Sequence, residues 1–271
     1  EIMSSDWSSD VCSSDLVLAT ILYINGVAWA GTYSGGAGTA AEPYRIANAT
    51  AWQELMTTET DWGEHFALIA HLDLAGVPLT PVGNLTTQFT GTLDGAGHTI
   101  YNAVMDLPEA SYVGLFGHTG PSAVIRNLRL ENADITGKFW VGALAGKMEG
   151  TSLEHVGVHG TVTGVAYVGA MVGSITGTTN TMTRGDAAGT VTGSRYVGGL
   201  AGFLWGATLE NCYTQAAVVG VVDALGGSHQ DIGGLIGKTY ETTGNTNMVS
   251  ACYAAGPITL APSTPNVGGL V

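Results

Sequence analysis

The chain has 271 residues, 41 of them glycine and eight proline, with 45% hydrophobic and only 11% charged residues. That is ample apolar material for a core, so disorder is excluded, and the lack of a Gly-x-y period excludes collagen. A formal charge of −14, with the eight Lys and Arg scattered singly, excludes the basic footprint of a nucleic-acid binder.

Residues 5–16, SDWSSDVCSSDL, resemble a translated sequencing adapter, and residues 1–16 are set aside from the fold on that ground. This removes Cys12, Glu1, Asp6, Asp10 and Asp15, which brings the formal charge to −10. The run LVLATILYINGVAWA over 16–30 is apolar and too short to span a bilayer. It ends in Ala28-Trp29-Ala30, the small-x-small pattern of a signal-peptidase site, so 17–30 reads as the remnant of a secretory signal. The mature chain is expected to start near Gly31 and to be extracellular or surface-bound.

From Gly31 to Leu93 nothing repeats. Pro43-Tyr44-Arg45-Ile46 predicts a short strand. Asn48 or Thr50 can cap a helix through Trp52, Leu55 and Met56, with Glu54 in its first turn. Phe66–Ala70 predicts another strand, leading into His71–Leu74. Such an α+β piece over 31–93 is what a solenoid needs to cover the open apolar end of its first coil.

From Asp94 to the last residue the sequence is periodic. GTVTGVAYVGAMVG at 160–173 returns as GTVTGSRYVGGLAG at 189–202. The Val-Gly-x-(Leu/Met)-x-Gly element places its first glycine at Gly142, Gly169, Gly198, Gly233 and Gly268, with a shortened copy at Gly114. The intervals of 28, 27, 29, 35 and 35 residues lie in the solenoid range. An amphipathic-helix repeat is excluded, since each proposed helix would hold two or three glycines costing about 1 kcal/mol apiece. Aligned by eye, Leu128 and Leu130 match Val156 and Val158, then Gly185 and Ala187, Cys212 and Thr214, and Cys252 and Ala254. Small or apolar residues two apart predict one inward-facing strand per coil. The Thr161-Val-Thr163 and Thr190-Val-Thr192 runs predict a second strand, and Tyr-Val-Gly-Gly-Leu-Ala-Gly a third. The expected fold is all-β: a right-handed parallel β-helix of about six rungs, roughly 30 Å long. One feature fits poorly. Val197 and Leu200 are three apart, so a flat strand would aim them at opposite faces, and a bulge or bend at the glycine pair is needed.

The Gly-Leu-x-Gly elements at 114–117, 142–146, 198–202 and 233–237 resemble the GLUG motif. So do the Asn127-Leu128 and Asn211-Cys212-Tyr213 steps, the lead-in at 89–100, and the opening Gly35-Gly-Ala-Gly-Thr with Pro43-Tyr44-Arg-Ile46. The resemblance covers about 31–271. It implies a secreted or surface bacterial protein, since GLUG repeats occur in adhesin-like chains and in the non-catalytic part of IgA-cleaving metallopeptidases. It also gives Asp94 a structural role.

Residues that could carry chemistry are few. Cys212 and Cys252 occupy equivalent places in successive coils, where stacking suits either a disulfide or an unbonded ladder of small side chains. His155 and His159 form HxxxH, but Glu154 stands outside the pair. On a strand their side chains sit some 13 Å apart, too far for one zinc. Asp94 and His98 could form an acid–base pair, although Asp94-Gly95 reads more simply as a turn. Arg126 and Arg129 with Glu131 and Asp134 are the only grouping suited to polysaccharide lyase or glycosidase chemistry. No catalytic residue, metal site or cofactor is assigned. The two longer repeats carry insertions at 220–231 and 238–248, and solenoids tend to bind through such loops. Asp223, His229, Gln230, Asp231, Tyr240, Glu241, Asn245 and Asn247 are the candidate contacts.

The expected function is a rigid structural or adhesive stalk that presents loops to surface glycans or to proteins of a host or neighbouring cell. The alternatives are a polysaccharide-degrading β-helix enzyme and the non-catalytic repeat region of a larger surface peptidase.

Overall fold

The computed structural model describes residues 33–222, 231–261 and 266–270. The adapter-like and signal-like segments, and Asp223, His229 and Gln230, lie outside them. The described chain is a parallel β-solenoid. Its strands pair in parallel, in one 19-stranded sheet and one six-stranded sheet. The smaller sheet stacks, in chain order, Ser111–Val113, Phe139–Val141, Ala166–Gly169, Arg195–Gly198, Asp231–Gly233 and Asn266–Gly268.

The near-identical lines of sequence lie directly on one another. Thr161, Val162 and Thr163 pair with Thr190, Val191 and Thr192, and Gly169 pairs with Gly198. The column aligned by eye is also found: Leu130, Val158, Ala187, Thr214 and Ala254 follow each other from rung to rung. Columns of this kind form the core. Ile135, Val162, Val191 and Val218 are each at most 1% exposed and stack in register. Identical apolar side chains stacked on a parallel ladder bury each other's surface at every rung, so one repeated valine is enough to build a continuous core.

Two details of the expected rung are corrected. The Thr-Val-Thr run is not a strand of its own. It continues the strand Ser152–Thr163, whose pairing shifts between His159 and Gly160. Nor is Tyr-Val-Gly-Gly-Leu-Ala-Gly a single strand. Arg195–Gly198 belongs to the small sheet and Ala201–Glu210 to the large one, with the chain bending at Gly199 and Leu200. This corner turns Val197 and Leu200 to the same interior, where both are 0% exposed. The corner also accounts for its glycines: a Cβ on Gly173 would sit 2.5 Å from the amide nitrogen of Val141 and 2.6 Å from the carbonyl oxygen of Gly146. Both obstacles are backbone, which no side-chain rotation can relieve.

At the N-terminal end, helix α1 spans Ala49–Thr57. Asn48 is its cap, its side-chain oxygen accepting from the Ala51 amide at 3.0 Å, while Thr50 lies inside the helix. Glu54 falls beyond the first turn rather than in it. The helix buries Ala51, Trp52, Leu55 and Met56, and Trp52 meets Phe116 edge-on at 6.4 Å. The predicted 66–70 strand is observed as His65–Leu68. Tyr44–Ile46, His65–Leu68 and Thr92–Asp94 pair successively onto the strand Val124–Thr136. The coil therefore begins before the repeats are recognisable.

Cys212 and Cys252 take equivalent places on successive rungs, and both thiols are free. The Tyr253 amide donates to the Cys212 carbonyl at 3.1 Å. Cys212 is fully buried, and that burial pushes its thiol up to about 12. Maleimide at pH 8 is expected to label Cys252 and leave Cys212 untouched until the protein is denatured, because almost no Cys212 thiolate exists at that pH. Peptide mapping that finds both labelled in native buffer would refute the buried column.

An aromatic ladder as candidate binding face

The residue before each Val-Gly of the small sheet is Tyr112, Trp140, Tyr167 and Tyr196 on four successive rungs. Each adopts the left-handed backbone conformation, with φ of 61, 55, 59 and 51°. Left-handed φ is common for Gly and Asn and rare for bulky residues, costing about 1–2 kcal/mol each. Here it turns the side chain outward at the corner, where the rings stack along the axis. Tyr112 and Trp140 lie 4.6 Å apart at 2°, and Trp140 and Tyr167 lie 5.2 Å apart at 13°. The Tyr196 ring is tilted by 51° at 4.8 Å from Tyr167. Stacked pairs of this kind are worth about 0.5–1.5 kcal/mol beyond area burial, which offsets the backbone cost.

A second column runs beside the ladder on the large sheet: His118, Lys147, Ser174, Phe203 and Lys238. The His118 ring lies parallel to Tyr112 at 5.9 Å, Phe203 packs edge-on to Tyr167 at 5.7 Å, and Lys238 sits 5.2 Å from the Tyr196 ring centre. Two residues further along the strands, Trp205 meets Tyr240 at 6.4 Å. The small Ser174 leaves a cleft of about 230 Å³ between Lys147 and Phe203, walled by Trp140 and Tyr167. Both lysines bordering this face carry a carboxylate partner, Glu149 at 3.3 Å and Asp231 at 2.7 Å, so the face is close to neutral. Burial pushes the Tyr112 and Tyr167 hydroxyls up, which keeps them protonated. The ring faces cover each other, so the ladder shows solvent its edges, with their partial positive charge, phenol hydroxyls and indole N–H.

A separate polar groove of about 280 Å³ is lined by His98, Asn127, Arg129, His155 and Asp186, among others. Gly157 lies between Arg129 and Asp186 in the ladder, and its missing side chain lets the guanidinium reach the carboxylate at 3.5 Å. Arg129 also donates to Glu131 at 2.7 Å, and His159 lies 3.1 Å from the other oxygen of Glu131. The acid–base grouping foreseen around Arg126 and Arg129 is thus largely an internal pairing network: Arg126 donates to Asp94 at 2.8 Å. The Asp94 carboxylate closes its own turn by accepting from the Ala96 amide at 2.8 Å. Burial pushes the Asp94 carboxyl up, but the Ala96 amide, Asn127 and Arg126 together outweigh it and hold it below the ordinary range. A depressed carboxyl stabilises the fold above the ordinary aspartate pKa, and that contribution is lost as pH falls through the folded value. Asp94→Asn is expected to remove about 1 kcal/mol at pH 7, since the pair is partly exposed, and progressively less as the pH is lowered toward 2. Equal losses in thermal melts at both pH values would contradict this.

The predicted loop contacts are only partly brought together. Asp231 opens its strand and accepts from Lys238, and Tyr240 ends the next strand, 51% exposed. Glu241 accepts from the Asn247 amide at 3.1 Å. The Asn247 side chain accepts from the Gly206 amide at 2.7 Å and donates to the Tyr240 carbonyl at 2.9 Å. Asn245 is buried beneath the loop against Gly206. The Asn247 side-chain amide therefore pins the 238–248 loop to the rung below, while Tyr240 and Glu241 stay exposed. The ladder was not predicted, although its signal stands in the sequence as the aromatic residue before each of four Val-Gly pairs.

No helix among the described residues is long and apolar enough to cross a membrane. No family model matches the sequence. Halomucin of Haloquadratum walsbyi is 36% identical over 137 residues, which is 47% of this chain and 2% of halomucin. A "Putative Gly-rich membrane protein" of Evansella cellulosilytica is 32% identical over 143 residues, 49% of this chain and 16% of that protein. The chain thus spans a small part of the length of both relatives. Among solved structures, a "putative immunoglobulin A1 protease" from Bacteroides ovatus superposes with a TM-score of 0.61 at 18% identity, over 88% of this chain and 86% of that one. A structure named IgA1 protease gives 0.54 at 15% identity, over 83% of this chain and 20% of that one. At these identities the likeness shows one thing, a shared parallel β-solenoid fold.

Proposed function

We propose that the chain is a repeat module of an extracellular or surface protein, a rigid rod whose aromatic face is the contact surface for ligand. The supporting observation is the gathering of Tyr112, Trp140, Tyr167, Tyr196, Phe203, Trp205 and Tyr240 on one side of a chain that is only 8% aromatic. A rod that served as a spacer alone would have no use for left-handed aromatic residues on four consecutive rungs. The names of the two sequence relatives, a mucin and a membrane protein, agree with a surface setting. The GLUG-like element is consistent with the same setting.

The likeness to structures named as IgA1 proteases supports a second reading, in which the module is the non-catalytic repeat region of a larger peptidase. The two readings are compatible, because such a region can present the same face. The test is retention of the purified chain on intact bacterial and epithelial cells. Retention that Trp140→Ala and Tyr196→Ala abolish supports the aromatic face. Retention that survives both substitutions would sink it.

A further inference from the structure

Resting on that reading, we propose that the aromatic face binds a neutral, extended, β-linked polysaccharide lying parallel to the solenoid axis, with one sugar unit per rung. Three observations lead to this ligand class. The first is chemical. The hydroxyls of Tyr112, Tyr167 and Tyr196 have no hydrogen-bond partner among the described residues, and none of them is a buried orphan, so they reach solvent. The indole N–H of Trp140 is in the same state. Stacking holds these groups in one row at fixed spacing, which spares most of the entropy of ordering them on binding.

The second observation is metric. The rings recur at 4.6 and 5.2 Å along the row. An extended peptide offers a carbonyl to the same side only every second residue, about 6.7 Å, and falls out of step within two rungs. One pyranose unit of an extended β-1,4-linked chain advances by nearly the rung spacing, and although successive units are flipped, each edge of the chain carries a hydroxyl at every unit, O2/O3 and O6 in turn. Because the ring faces are covered, sugars are met by edges and hydrogen bonds, and the perpendicular Phe203 and the Ser174 cleft supply a recess in the track.

The third is charge. Lys147 and Lys238 are each offset by a carboxylate, and the whole chain is strongly acidic. A polyanion is repelled at long range, and among the described residues both lysines of this face are already paired, whereas a neutral glycan meets no such penalty.

The test titrates the chain with cello- and manno-oligosaccharides of one to six units, read by Trp fluorescence and calorimetry. Affinity is expected to rise about three- to tenfold per unit, near the value of one net hydrogen bond, and to level off at four units, one for each ladder ring. Tyr167→Phe keeps the stack and removes one hydroxyl. It is expected to weaken the four-unit ligand about three- to tenfold without moving the melting temperature. Tyr253→Ala, on another face, should change nothing. Binding without dependence on length, or tighter binding of oligogalacturonate than of the neutral chains, overturns the axial track while glycan recognition by the face survives. No binding of any oligosaccharide, alongside Trp140-dependent retention on cells, overturns the polysaccharide and leaves the contact face intact.

Discussion

Gly202→Ala is expected to lower stability by at least about 3 kcal/mol, a fall of roughly 6–12 °C in melting temperature for a chain of this size. The position is buried, and its φ is one that alanine tolerates, so the cost is purely steric. A Cβ there would lie 2.5 Å from the Val168 amide nitrogen and 2.6 Å from both the Tyr167 carbonyl carbon and the Gly173 oxygen. Each of these atoms is backbone of the neighbouring rung. Relieving the overlap means spreading the rungs, which breaks the hydrogen-bond ladder on both sides. The control is Gly97→Ala, where φ is +79° but nothing lies within 4 Å of the added carbon. Only the left-handed penalty of about 1–2 kcal/mol applies there. Equal effects in thermal denaturation would mean that the rungs do not meet as closely as described.

Trp140 should invert the usual ranking of alanine and glycine. Trp140→Ala loses the stacks on Tyr112 and Tyr167 and the edge contact with Phe139, and keeps the strained φ of 55°. The expected loss is about 2–4 kcal/mol, below that of a fully buried tryptophan because this residue is only partly buried. Trp140→Gly loses the same contacts but adopts the left-handed backbone freely, so it should melt higher than the alanine variant by about 1 kcal/mol. In an ordinary strand glycine is the worse choice. Comparison of the two melting curves decides the matter, and an alanine variant more stable than the glycine one would rule out the left-handed corner. Trp140→Phe should lie close to the parent protein, since a planar ring continues the stack.

The architecture was legible because a solenoid repeats its physics with its sequence. Val162 and Val191 face the same environment one rung apart, so the line GTVTG returns nearly unchanged and announces both the period and the register. The helix cap was legible for a local reason: Asn48 needs only its own next turn to act. The aromatic ladder was not. The insertion at 238–248 was legible as a loop, but not that its Asn245 and Asn247 turn inward onto Gly206, contributed from a rung some 40 residues earlier. Of the grouping Arg126, Arg129, Glu131 and Asp134, only Arg129 and Glu131 pair with each other, while Arg126 turns to Asp94. Arg129 finds Asp186 two rungs away, across a glycine that clears the path.

By itself, then, the order of residues determined the period, the strand register, the apolar columns and the need for a bend between Val197 and Leu200. These follow from spacing along one chain. Only the tertiary structure decided which way the corner residues point. A left-handed φ at Tyr112, Trp140, Tyr167 and Tyr196 runs against their local preference, and it persists because stacked neighbours from other rungs offset its cost.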